Sequence, residues 1–191
     1  MKKFFLLLMA AATFNANAAY ISITTDKDIY NVGETIMATV SASKLIDENA
    51  VQTYFKGYDV SIFFDTLSVS FDPSTIMELG AFGGLAAGPF NSSTGNLISL
   101  SNGVLFVDVQ PIQEGKDEIA LFSFALVALS DGLVDLSFAS GHLSEDFGAL
   151  IANVTTQGTS FEIAQVPAPG TFALSLLALG GMFFVRKRVK S

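Results

Sequence analysis

Apolar residues fall at every second position along much of this chain. Ile36, Ala38, Val40 and Ala42 form one such series, and Tyr58, Val60, Ile62 and Phe64 a second. Leu67, Val69 and Phe71 repeat the pattern, as do Leu105, Val107 and Val109, then Val134, Leu136 and Phe138, and finally Phe161 and Ile163. A period of two places one face of an extended segment on a core, whereas a helix would need apolar neighbours three and four apart. Each series is short, and turn chemistry punctuates them: Asn31-Val32-Gly33, Asp72-Pro73-Ser74, Ser101-Asn102-Gly103, Glu114-Gly115-Lys116 and Ser130-Asp131-Gly132. Many short strands of this kind predict an all-β sandwich.

Two stretches do not show the pattern so plainly. Ile119 to Leu129 is almost wholly apolar, and fits either a buried helix or a strand covered on both faces. Phe122, Phe124 and Leu126 alternate within it, and Asp131-Gly132 suits a hairpin into the next series, so it is read as a strand. Leu79 to Phe90, rich in Gly and Ala, is read as a long surface loop, with a turn of helix after Pro73. Its Leu79, Phe82, Leu85 and Phe90 are expected to pack beneath that loop, a binding lip being the alternative.

The core must hold itself together without covalent help. Cysteine is absent, so there is neither a disulfide framework nor a thiolate ligand or nucleophile. Eighteen Phe and no Trp supply the aromatic mass.

Both ends differ from the middle. Lys2 and Lys3 precede an apolar run from Phe4 to Phe14, and Asn15-Ala16-Asn17-Ala18 places small residues, Ala16 and Ala18, at the −3 and −1 positions of a cut after Ala18. That is the pattern of a secretory signal peptide, residues 1–18. Thr171 to Val185 carries no charge over fifteen residues. A helix counted from Pro167 would be roughly 28 Å long, close to the ~30 Å of a bilayer's hydrocarbon. Arg186, Lys187, Arg188 and Lys190 follow it and would remain cytoplasmic. Between these ends lie four cations against 18 carboxylates, a net charge of −14. Such a body repels phosphate backbones and excludes nucleic acid as a partner.

The segment 166–191, with Val166, Pro167, Ala168 and Pro169, the apolar helix 171–185 and the basic cluster from Arg186, resembles the PEP-CTERM sorting signal. Ala168 stands where that family usually has Glu. The resemblance implies processing by an exosortase-type membrane enzyme. It also implies an inner-membrane stage, then passage to the cell surface or exopolysaccharide matrix of a Gram-negative bacterium. A plain C-terminal anchor has the same hydropathy.

The body, 19–165, resembles the cohesin-like domains of bacterial surface proteins. The matching residues are Val32-Gly33-Glu34-Thr35, Gly57-Tyr58-Asp59-Val60-Ser61-Ile62-Phe63-Phe64-Asp65, Leu121-Phe122-Ser123-Phe124, Gly132 and Leu136-Ser137-Phe138. The family pattern pairs the Phe-containing strand with the Leu-x-Phe strand. The resemblance implies a jelly-roll sandwich of about nine strands, and none of these residues maps onto a dockerin contact.

Chemistry is sparse. The one histidine, His142, precedes Ser144, Glu145 and Asp146 on an expected loop, but adjacent loop positions do not aim at one another and no Gly-x-Ser-x-Gly elbow is present. One His cannot hold zinc. The carboxylate pairs Asp26 and Asp28, Asp117 and Glu118, and Glu145 and Asp146 are candidate calcium ligands if loops at one end converge. Tyr54 and Phe55 are the candidate exposed aromatics for a ligand. The expectation is a non-catalytic surface or matrix protein whose sandwich binds polysaccharide or a surface protein. The alternatives are a plainly anchored glycan-binding adhesin or a secreted hydrolase.

Overall fold

The computed structural model describes residues 19–165. The signal-peptide positions, Ala16 and Ala18 among them, and the tail from Val166 through Pro167, Ala168 and Pro169 to Arg186, Lys187 and Arg188 lie outside the described residues. No described helix is long and apolar enough to cross a membrane.

Eleven strands build the described chain: β1 (Tyr20–Thr25), β2 (Ile29–Asn31), β3 (Thr35–Ser43), β4 (Gly57–Phe63), β5 (Val69–Glu78), β6 (Phe90–Asn91), β7 (Leu97–Gly103), β8 (Glu118–Ala128), β9 (Gly132–Ser144), β10 (Thr155–Gln157) and β11 (Thr159–Ala164). A four-residue helix, α1 (Gln110–Gln113), precedes β8, and a short 3-10 turn, Asp146–Gly148, follows β9. Three of them, β2, β6 and β10, are fragments of two or three residues, and the other eight are close to the nine or so expected. They form two sheets, ordered β10-β1-β3-β8-β5 and β2-β11-β9-β4-β7-β6. Apart from β6 and β7, every pair of consecutive strands is split between the sheets.

The alternation of β3 and β4 is realised as expected: Ile36, Ala38, Val40 and Ala42 face Val60 and Ile62 in one core. In β8 a bulge shifts the phase. Val40 lies opposite Phe122 but Ser41 opposite Ala120, so Leu121 is the extra residue, and Ile119 and Phe122 can both turn inward. That insertion, together with the burial of Ser123 and Ala125 in the opposite phase, is why the segment shows no polar face. A chain of rings, Phe55, Phe82, Tyr58, Phe122, Phe124, Phe71 and Phe64, then runs through the core with successive centroids 5.5–6.3 Å apart. Each such pair adds about 0.5–1.5 kcal/mol beyond the area it buries.

Four local expectations are corrected. Residues 105–109 are not a strand, because Phe106 sits at φ 59° and Val109 caps α1. Leu67 belongs to a turn held by Asp65, which accepts from Leu67 N and Ser68 Oγ, and β5 begins only at Val69. After Pro73 there is no helical turn. The ladder to β8 jumps from Asp72 to Met77, and Thr75 Oγ1 accepts the Ala125 N–H that the excursion leaves free. Ser130-Asp131-Gly132 does not close a hairpin: β8 pairs with β3 and β5, β9 with β4 and β11, so the Phe series and the Leu-x-Phe series meet across the core.

The switch from β10 to β11 takes a single residue, Gly158. A Cβ there would lie 2.3 Å from the Leu136 carbonyl oxygen, so the backbones approach only because the side chain is missing.

The two ends of the sandwich differ. Short turns, 26–28, 32–34, 64–68, 92–96 and 129–131, gather where β11 ends at Ala164. The long connections, 44–56, 79–89, 104–117 and 145–154, gather at the other end.

Candidate functional site

At the long-loop end, Gln113 is fully buried and its amide ties three connections together. Its Oε1 accepts from Phe55 N at 3.1 Å, and its Nε2 donates to the carbonyls of Phe55 at 2.8 Å and Ala81 at 3.2 Å. Phe55 is thereby fixed against Phe82 with no exposed surface. It cannot stack on a ligand, and Tyr54 is half-buried against the same core. Of the expected aromatic pair, Phe55 is therefore enclosed in the core. Its neighbour Lys56 emerges beside it, and its ammonium donates to both carboxylate oxygens of Asp146 at 2.8 and 2.9 Å.

From Lys56 the chain enters β4, flanked by β7 and β9. Gly57 pairs with both Gly103 and Ser144. A Cβ on Gly103 would stand 3.0 Å from the Lys56 carbonyl oxygen, and this close approach leaves a hollow of about 420 Å³. Asp59, Leu105, His142, Ser144, Glu145 and Leu150 line it. Burial, with help from the nearby Glu78 carboxylate, pushes the Tyr58 phenol beneath it well above its ordinary pKa, so that floor is uncharged.

The hollow opens onto the outer face of β6, β7, β4 and β9. Register fixes three rows across that face. Phe90, Ser101, Asp59 and His142 form the first, Ser99, Ser61 and Ser140 the second, and Leu97, Phe63 and Ser137 the third. The hydroxyls of Ser61 and Ser99 bond to each other at 2.9 Å. Two aromatic rings stand out of this face, Phe63 at 44% and Phe90 at 63% exposure. Sequence reasoning missed Phe63 by following the inward series Tyr58, Val60, Ile62 and Phe64. In the outward phase of the same strand, Asp59, Ser61 and Phe63, an aromatic after two polar residues was the available signal.

His142 is on β9 rather than a loop, and faces outward with Ser144 two residues on. No hydrogen bond joins it to Ser144 or to a carboxylate, so the relay of a hydrolytic triad is not assembled there. The carboxylate pairs do not converge either. Asp26 adjoins Met37 while Glu118 adjoins Ser43, about 20 Å apart along β3 at 3.3 Å per residue. Asp26 accepts from Tyr30 Oη at 2.7 Å and Met37 N at 2.8 Å, and Asp117 from Ile46 N at 2.9 Å. Asp28 and Glu118 are exposed. Among the described residues no three His, Asp or Glu side chains gather as a metal site, which removes these four residues as one calcium cage.

No family model matches the chain, and no curated protein matches it. Solved structures do. A chain of a type II cohesin–X-dockerin complex from Acetivibrio cellulolyticus is 18% identical, with a TM-score of 0.58 over 76% of this chain and 99% of that one. A non-cellulosomal cohesin from the archaeon Archaeoglobus fulgidus is 12% identical, with a TM-score of 0.53 over 77% and 91%. The cohesin module of a family 33 glycoside hydrolase from Clostridium perfringens is 10% identical, with a TM-score of 0.55 over 78% and 100%. At these identities the likeness concerns the fold, and the fold of residues 19–165 is a cohesin-like β-sandwich.

Proposed function

We propose that this chain is a non-catalytic, exported surface protein whose sandwich binds another protein through the outer face of β6, β7, β4 and β9. One observation carries the reading: Phe63 and Phe90 project from the outer face of this sheet, on either side of a serine row. Apolar anchors separated by small polar groups suit a protein partner, because exposed rings supply affinity and the polar row supplies register. The cohesin of the Acetivibrio complex is paired with an X-dockerin, and a dockerin-like module is the corresponding partner class here. A polysaccharide ligand is less well supported, since Phe55 is enclosed and Tyr54 half-buried. Export through the 1–18 signal, retention through the 171–185 helix and exosortase processing at 166–169 complete the proposal on the sequence pattern alone.

A photo-crosslinking residue placed at Ser137, exposed on the same face beside Phe63, in living cells tests it. Adducts with a discrete protein, abolished by Phe63→Ser together with Phe90→Ser, are expected. Glycan binding by residues 19–165 that survives both substitutions, with no protein adduct, would overturn it in favour of an adhesin.

A further inference from the structure

The short-turn end carries apolar side chains that the core does not use. Leu67 is 80% exposed and Leu129 47%. Val32 stands beside them, and Leu133 and Ile29 lie one row away on the adjoining sheet, flanking Glu162. The turns bearing them are tied together rather than free. Leu129 N donates to the Ser68 carbonyl at 2.8 Å, Ser130 Oγ to the Leu67 carbonyl at 3.0 Å, and Val32 N to the Ala164 carbonyl at 3.2 Å.

The described chain leaves from the middle of this patch. Gln165 donates to Asp131 Oδ1 at 3.3 Å and, with Val32 and Leu129, borders a shallow hollow of about 440 Å³. Five residues, 166–170, separate it from the uncharged run that begins at Thr171. Fully extended they reach less than about 20 Å. A bilayer holding 171–185 therefore lies within one short tether of Leu67, Leu129 and Val32, at high effective concentration.

We infer that this end of the sandwich rests on the membrane, with Leu67, Leu129 and Val32 entering the interface between headgroups and acyl chains. Asp65 and Asp131 border the patch, while Glu34 beside it is paired with Lys27, so the charge left over is negative and the patch favours a zwitterionic lipid surface over an anionic one. Such contact fixes the domain's orientation and turns the groove at the opposite end, six residues away along β4, from the bilayer. The inference rests on the anchor reading of the tail, and its test separates the two.

The chain lacks cysteine, so single cysteines report unambiguously. Full-length protein carrying a polarity-sensitive fluorophore at Leu67, Leu129, Val32 or, as a control at the far end, Leu150 is reconstituted into phosphatidylcholine vesicles containing a lipid-borne quencher. Quenching and a blue shift at 67 and 129 but not at 150 are expected. So is loss of quenching at Val32 when Leu67→Asp and Leu129→Asp are introduced. Protein that floats with the vesicles while labels at 67 and 129 stay as water-exposed as at 150 overturns the inference and leaves the anchor standing. Protein that does not float overturns both.

Discussion

Gln113→Ala removes the one side chain that joins three long connections. The amide makes three hydrogen bonds in a site without solvent access. At about 1–3 kcal/mol for each of the three buried backbone groups left without a partner, less what entering water repairs, the loss should be roughly 3–5 kcal/mol. A domain of this size has about 5–15 kcal/mol in total, so the midpoint of thermal unfolding should fall by about 10 °C. Equilibrium urea unfolding of residues 19–165 measures the loss directly. Gln113→Glu sharpens the test. Its carboxylate would still accept from Phe55 N, but would set negative oxygen against the carbonyls of Phe55 and Ala81. The variant should therefore be weakest at neutral pH and recover on acidification, because a folded-state pKa raised above the unfolded one favours folding only while the group is protonated. A Gln113→Ala loss below about 1 kcal/mol, within the net value of one ordinary hydrogen bond, would refute this account of the long-loop end.

Gly158→Ala forces a Cβ to within 2.3 Å of the Leu136 oxygen and should cost about 1–3 kcal/mol in urea unfolding, with loss of amide protection in β10 and β11. Burial raises the Asp26 carboxyl, but hydrogen bonds from Tyr30 and Met37 and the charge of Lys27 outweigh it, so its pKa sits below the ordinary 3.8. Its contribution is present above that value and lost as pH falls below it, so Asp26→Asn should flatten the decline of stability below about pH 4. Burial and the bond to Asp26 push the Tyr30 phenol up to about 12. The stability tied to its proton disappears between about pH 10 and 12, and Tyr30→Phe should lose that alkaline step in a circular-dichroism titration.

The inward series of β3, β4 and β9 were legible because each buries a single face, so period two survives in the sequence. Pairing was not legible. Consecutive strands lie in opposite sheets everywhere except at β6 and β7, so the partner of a strand is almost never its neighbour in sequence. A turn signal such as Asp131-Gly132 then marks a crossing between sheets as readily as a hairpin. Periodicity also misled at Leu105, Val107 and Val109, where alternation without a ladder partner produced a turn and the start of α1. The site was harder to read still. Tyr54 and Phe55 resemble a surface pair by position, and their burial depends on Gln113 and Phe82, 58 and 27 residues further on. The carboxylate pairs looked alike in sequence, and only the register of β3 separates them along one strand.

The distribution of connection lengths links these observations. Strands that cross between sheets can be joined at either end, yet the long connections collect at the Gly57 end and the short ones at the Ala164 end. Short turns leave little surface to vary, and here they expose leucines around a shallow hollow. Long connections need internal fasteners, and Gln113 and the Lys56–Asp146 pair are fasteners of that kind. Loops held on a rigid sheet are where binding surfaces develop, because the sheet sets their position and the loops supply variation. The physical division of the sandwich therefore runs along its strands, with an apolar end beside the tail and a pinned, concave end about 20 Å away. If Gln113 is removed, the hollow at the far end should lose its shape while the rows on the β4 face persist, since the ladder to β7 and β9 does not depend on it. Hydrogen exchange that rose in 44–56, 79–89 and 104–117 but not in β4 or β9 would have the pattern this division requires, and a uniform rise would count against it.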